Sequence, residues 1–228
     1  MNSNDSPRPC IIWATARTGS TTLSRALGAV SEPFKDHANW TVKFAGPVQI
    51  IRFCATRCSL KHLYGEGPEE VDLALAHASN RHGYRHIHLV RRNELARLVS
   101  YDIAVQKVAW RPDTSAAKYS DLKSGKSTLR PLDIPNLLHM HRQAMDRWRK
   151  LGPEIGAFLT VRFEDITNAN CRIRRTALHR IAAYLGIRSI AGLDRRMFAG
   201  GQRTREVWEF VPNLSELRQA LVASELKQ

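Results

Sequence analysis

The stretch CIIWATARTGSTTLSRAL, residues 10–27, constrains the fold more than any other part of the chain. Cys10 to Ala14 form an apolar run of strand length without alternation, the pattern of a strand buried on both faces. A tight turn follows, and STTLSRALGAV then reads as a helix with a hydroxyl residue at its start. A buried strand that turns through glycine into a helix converges backbone N–H groups on one point. With the helix dipole behind them, those groups form an anion site. Gly19 permits close backbone approach, and Thr18, Ser20, Thr21 and Thr22 surround it with hydroxyl donors. Arg17 adds a rigid fork of N–H donors suited to phosphate or sulfate oxygens. Taken alone, the same residues also fit an ordinary strand–helix turn with a capping serine and a surface arginine.

The loop is not that of a nucleoside triphosphatase, which would read G-x-x-x-x-G-K-[ST]. Its lysine is missing here. A second stretch, SGKST at 124–128, ends correctly, but Ser120 stands where the first glycine is required and no strand precedes it. It receives no nucleotide role.

Along the chain, WTVKF (40–44) is a short strand candidate, and Pro47 opens a helix expected to run through VQIIRFCATRCSLKHLY. GPEEVDLALAHASNRHG reads as a helix with Gly83 just past its end. HIHLV (86–90) is the next buried strand and feeds the helix NELARLVSYDIAVQKVAW. Strand, turn and helix thus occur twice, which predicts parallel strands joined by crossover helices. Residues 111–131 lose all periodicity and read as a long mobile loop. The helix DIPNLLHMHRQAMDRWRKL, the strand AFLTV (157–161), RFEDI and the helix CRIRRTALHRIAAYLG follow. Residues 199–228 read as a C-terminal loop and helix, and residues 1–9 as a flexible N-terminus. The expectation is one α/β domain over 1–228.

A net charge of +14 over 228 residues, with a pI near 10.2, favours polyanionic partners: nucleic acid, an acidic membrane surface or a ligand with several phosphates. Aromatic residues make up 7% of the chain and sit in apolar patterns, which disfavours a nucleic-acid surface built on stacking. No apolar run reaches the ~18 residues of a membrane span, and the polar opening MNSNDSPRPC is not a signal peptide. A soluble, cytoplasmic protein is expected. Cys10, Cys54, Cys58 and Cys171 fit that compartment as isolated thiols. Cys54, Cys58 and His62 would share one face of the predicted helix, but no fourth ligand is spaced for zinc, so no metal site is assigned.

A second anion signal closes the strand HIHLV: Arg91 and Arg92 at its carboxyl end, and Ser100 eight residues after Arg92 on the next helix. Open α/β sheets bind ligands at that edge. Together the two signals resemble the cofactor motifs of sulfotransferases that use 3′-phosphoadenosine 5′-phosphosulfate (PAPS). ARTGSTTL is similar to the family's [RK]-[ST]-G-[ST]-[ST] loop around the 5′-phosphosulfate. RRNELARLVS is similar to the arginine and serine that hold the 3′-phosphate. RLVSYDIAVQKVAW resembles bacterial sulfotransferases acting on carbohydrates and glycolipids, VSEPFKDH the glutamate segment after their first helix, and VRFEDI their late-strand signature. The motifs run in order from residue 11 to about residue 190.

The resemblance implies a three-layer, P-loop-like α/β fold with a central, mainly parallel sheet flanked by helices. It implies PAPS as sulfuryl donor without a metal, a carbohydrate or glycolipid-like acceptor, and in-line displacement by an acceptor hydroxyl. Arg17, Thr18, Gly19, Ser20, Thr21 and Thr22 would hold the phosphosulfate, Arg92 and Ser100 the 3′-phosphate. GGQRTREVWEF resembles the basic loop that closes over the nucleotide in some members, which brings in Arg203 and Arg205. Glu32 is the first choice as general base, with His37 the alternative. Arg162 and Glu164 are read as structural, bracing the late strand against the loop. A homo-oligomer is compatible with the sequence. The competing readings are a nucleotide-dependent kinase with a degenerate phosphate loop and a non-catalytic nucleic-acid-binding protein.

Overall fold

Four strands build one sheet: β1 (Cys10–Ala14), β2 (Leu60–Leu63), β3 (Arg85–Val90) and β4 (Leu159–Arg162), in the order β2-β1-β3-β4. Every neighbouring pair is parallel, with Trp13 opposite both His62 and His88. The computed structural model describes residues 8–28, 46–107, 112–167, 174–188 and 204–225. By its internal contacts the chain divides into two compact units. One comprises Met1–Arg92 and Ala144–Phe198, the other Asn93–Gln143 and Ala199–Gln228.

The first unit holds the sheet. Its helices are α1 (Ser20–Gly28), α2 (Pro47–Ala55), α3 (Glu69–Arg81), the second half of α6 (Ile134–Ile155), α7 (Phe163–Ile166) and α8 (Arg175–Leu185). Side chains alternate across the pleat, so β1 contributes to two separate cores. Cys10, Ile12 and Ala14 pack with Leu23, Ala26 and Leu27 of α1, Ile87 and Leu89 of β3, and Leu178 and Ile181 of α8. Ile11 and Trp13 face the other way, against Ile50 and Cys54 of α2, Leu75 of α3, and Leu151 and Ile155 of α6. That is a three-layer α/β sandwich with a parallel sheet at its centre, the class expected from the sequence.

The second core also takes in polar rings. Trp13 Nε1 donates to His86 Nδ1 at 3.0 Å, and His86 Nε2 donates to Asn80 Oδ1 at 2.9 Å, which fixes the neutral tautomer. His88 stacks on Trp148 with ring centroids 3.3 Å apart, and its Nε2 is hydrogen-bonded to Tyr64 OH at 3.2 Å. Burial lowers both imidazoles, His86 to about 4 and His88 to about 3.

The second unit contains α4 (Glu94–Lys107), α5 (Pro112–Lys123), the first half of α6, a 3₁₀ helix (Thr204–Phe210) and α9 (Leu214–Glu225). Asn93 Oδ1 accepts from Ala96 N at 2.8 Å and caps α4. Leu98, Val99 and Ile103 of α4 form its core with Leu137, Val207, Leu217 and Leu221.

Three expectations are corrected. The helix opened by Pro47 stops at Ala55, because Arg57 takes a left-handed φ of 56°, and Leu60–Leu63 is a strand. Cys54 and His62 therefore lie on different elements, not on one helical face. Within 111–131, read as a loop, Pro112–Lys123 is helical: Tyr119 and Leu122, three residues apart, dock into the core of the second unit. Gly125, at φ 71°, then ends that helix with its N–H on the Leu122 carbonyl, which is the structural work of SGKST. The start of GGQRTREVWEF lies outside the described residues, and Thr204–Phe210 is 3₁₀ rather than loop. The strand candidate at 40–44 lies outside the described residues. Among the described residues no helix is long and apolar enough to cross a membrane.

Candidate functional site

The strand order places β1 at a reversal: the chain leaves β1 for β2 on one side, and leaves β3 for β4 on the other. Ligands of open parallel sheets lie outside the carboxyl ends of the strands at such a switch point. The segments that emerge there are Thr15–Gly19 after β1 and Arg91–Arg92 after β3.

The loop is held by its own atoms and by its neighbours. Thr18 is buried, and its Oγ1 donates to the Thr15 carbonyl at 2.8 Å. Arg17 has φ 68°, a left-handed value uncommon for a residue with a β-carbon, and Gly19 has φ 87°. Gly19 is required twice over, because a β-carbon there would also collide with the Phe163 ring. Helix α1 begins at Ser20 and takes up its first backbone bond from Leu23 N to the Gly19 carbonyl at 3.1 Å. Its first N–H groups carry the positive end of the helix dipole. No acidic residue occupies that first turn.

From β3, Arg91 Nη1 donates to the Arg17 carbonyl at 3.1 Å, and the Arg91 guanidinium lies 5.0 Å from the centre of the Phe163 ring. Arg92 N donates to Glu164 Oε2 at 3.0 Å. The RFED segment after β4 thus touches both sides of the switch point, Phe163 against Gly19 and Glu164 against Arg92.

A cation the sequence reading missed comes from β2. Lys61 is only 8% exposed, and its Nζ donates to Thr21 Oγ1 at 3.0 Å. Burial lowers its pKa below the ordinary 10.5, with Glu66 opposing that shift and Arg25 adding to it. The missing lysine of the loop is matched by one that enters the first turn of α1 from the adjacent strand. No alternation marks it in SLKHLY, where His62 follows Lys61 directly and the stretch fits a helix as readily as a strand.

Of the expected residues, Arg17, Thr18, Gly19, Ser20, Thr21 and Thr22 share one turn, with the backbone of Arg92 braced across the switch point. Ser100 is buried on α4 in the second unit. Arg205 belongs to the 3₁₀ helix of that unit. Glu32, His37 and Arg203 lie outside the described residues. Among the described residues, no three His, Cys, Asp or Glu side chains are grouped to hold a metal ion.

No protein-family model and no curated protein matches the chain. A solved structure described as the sulfotransferase domain from the Synechococcus PCC 7002 olefin synthase is similar to it at 15% identity and a TM-score of 0.44, covering 94% of this chain and 85% of that one. A likeness at that level assigns no activity.

Proposed function

We propose that the chain is a sulfotransferase that moves the sulfuryl group of PAPS to a hydroxyl of a carbohydrate or glycolipid-like acceptor. The observation that carries this reading is the paired edge: the Arg17–Thr22 turn after β1 and the arginines after β3, joined by the Arg91–Arg17 hydrogen bond. The reading takes residues 1–228 as one sulfotransferase-like domain of which the two compact units are parts. The free thiols Cys10, Cys54 and Cys58 support a cytoplasmic setting.

In such a transfer the acceptor oxygen bonds to sulfur as the bridging S–O bond breaks, and adenosine 3′,5′-bisphosphate leaves with the electron pair. Charge gathers on the sulfuryl and bridging oxygens, so fixed donors contribute most. Arg17, Ser20, Thr21, Thr22 and the N–H groups of the turn are assigned that task. Lys61, already bonded to Thr21, adds a second cation beside the first turn of α1. The N–H groups of the turn, with Arg17 and Lys61 beside them, supply the positive field that a dianionic group requires. Arg92 and Ser100 are assigned to the 3′-phosphate, with Arg203 and Arg205 closing over the nucleotide. Glu32 is assigned as the base that takes the hydroxyl proton, with His37 as the alternative. Glu32→Gln then leaves nucleotide affinity near wild type and lowers turnover by about 10²–10⁴-fold.

The test is cleavage of PAPS, followed as release of adenosine 3′,5′-bisphosphate in the presence of a chelator and of simple sugar acceptors. Release by the wild type that is lost in Arg17→Ala supports the reading. Equal release by both proteins, or none by either, contradicts it.

A further inference from the structure

Among the described residues β2 is an edge strand of four residues, paired only with β1, and its far end has a second anchor. Asp72 of α3 is that anchor. It is 1% exposed and gathers three donors: His62 Nε2 at 2.6 Å, Gly65 N at 3.3 Å and Arg147 Nη1. Arg147 Nη1 also reaches the Gly67 carbonyl at 3.3 Å, and its Nε lies 3.5 Å from Glu69. The other nitrogen of His62, Nδ1, is buried without a hydrogen-bond partner among the described residues, so Asp72 is the polar anchor of that ring.

Successive strand residues point to opposite faces. His62 is drawn to the α3 side, where its ring meets Trp13 edge-on, and Lys61 is thereby directed to the α1 side, against Thr21. One residue beyond the strand, Tyr64 N donates to the Ala14 carbonyl at 3.1 Å, which ties the following turn to the end of β1. We propose that Asp72 is a positioning residue of the anion loop: by holding the end of β2 from the α3 side, it holds Lys61 Nζ against Thr21 Oγ1 on the α1 side. Its bearing on catalysis rests on the sulfotransferase reading, whereas the placement of Lys61 can be measured without any ligand.

The experiment is a side-chain NMR titration of the lysines in the full chain, with Lys61→Met identifying the Lys61 signal. In the wild type, Lys61 loses its proton below pH 10.5 because it is buried. In Asp72→Asn its titration returns toward the ordinary lysine value, as the strand end loosens and Nζ regains water. Glu66 and Arg25, the charges that act on Lys61, are unchanged in that variant. His62→Phe removes only the ring's donor, keeps the contact with Trp13, and shifts the titration in the same direction. It keeps the proposal testable where Asp72→Asn does not fold. A Lys61 titration that stays at its wild-type position in folded Asp72→Asn or His62→Phe overturns the proposal. For binding, Asp72→Asn weakens adenosine 3′,5′-bisphosphate about tenfold, the worth of one charge-assisted hydrogen bond, and weakens it no further once Lys61 is methionine. Losses that simply add overturn the proposal too. A Lys61 signal that moves as expected in a protein with no affinity for the nucleotide upholds the positioning role and rejects the sulfotransferase reading.

Discussion

Arg91 Nη1 donates to the backbone carbonyl of Arg17 at 3.1 Å, so the residue just after β3 braces the turn that follows β1. The arginine after β3 and the turn after β1 are thereby joined. Arg91 braces the turn through the Arg17 carbonyl, and the proposed function assigns the Arg17 side chain to the anion.

Arg17 carries backbone strain at φ 68°, and strain at a binding turn is a cost to folding of about 1–2 kcal/mol. Arg17→Gly is therefore expected to be more stable than Arg17→Ala by about 1 kcal/mol, although both lose nucleotide affinity and turnover. Arg17→Lys keeps part of the activity, since the charge survives without the planar fork. Chemical denaturation and nucleotide titration of the three variants check this ordering.

Gly19→Ala adds a β-carbon both at φ 87° and into the Phe163 ring. It should lower stability by about 2–4 kcal/mol, combining backbone strain with overpacking. Gly19→Ala/Phe163→Ala relieves the collision and not the φ, so the double variant should lose less than the two single losses added together. Strict additivity in denaturation experiments would show that Phe163 does not define the turn.

The two buried imidazoles predict an acid transition. His86 and His88 are neutral in the fold, with values near 4 and 3, and titrate near 6.5 once unfolded. The unfolded chain therefore binds more protons between those limits. The stabilisation is complete above pH 6.5 and is lost as pH falls toward 4 and then 3. The cost is of the order of a few kcal/mol per histidine. His88→Phe, which retains an aromatic ring against Trp148, should flatten the slope of stability against pH between 6.5 and 4. An unchanged slope would mean that His88 is hydrated in the fold.

Much of this was legible in the sequence, for a physical reason. Cys10–Ala14 and His86–Leu89 are buried by continuous apolar runs or by rings with fixed partners, and the glycine and hydroxyl residues of the turn have few other uses in that pattern. β2 was not legible. Its strand is four residues long, half of them polar, and Lys61 and His62 are buried only because Thr21 and Asp72 wait for them on opposite faces. No periodicity announces such partners. Helix α5 was not legible because, among its described side chains, Tyr119 and Leu122 are the ones buried in the core, too few to register as an apolar stripe. Glu164 bonds to Arg92 N after β3, and the contact that this segment makes with the loop, Phe163 against Gly19, could be read only from the fold.

Under the proposed function, Lys61 gives nucleotide binding a pH dependence of known sign. Bound phosphosulfate or bisphosphate favours the charged amine, so affinity should fall as pH rises through the Lys61 titration, below the ordinary 10.5. Lys61→Met should bind about tenfold more weakly near neutral pH and lose that fall. Calorimetric titration across the alkaline range checks both.

Thermal stabilisation by a matched set of ligands tests the central claim most directly. Adenosine 3′,5′-bisphosphate, without added metal, should raise the melting temperature, and ADP, which lacks the 3′-phosphate, should raise it much less. ATP with Mg²⁺ and a single-stranded oligonucleotide should fall below both. Equal stabilisation by adenosine 3′,5′-bisphosphate and ADP would remove Arg92 and Ser100 from the site, and a larger shift with ATP–Mg²⁺ or with the oligonucleotide would contradict the account.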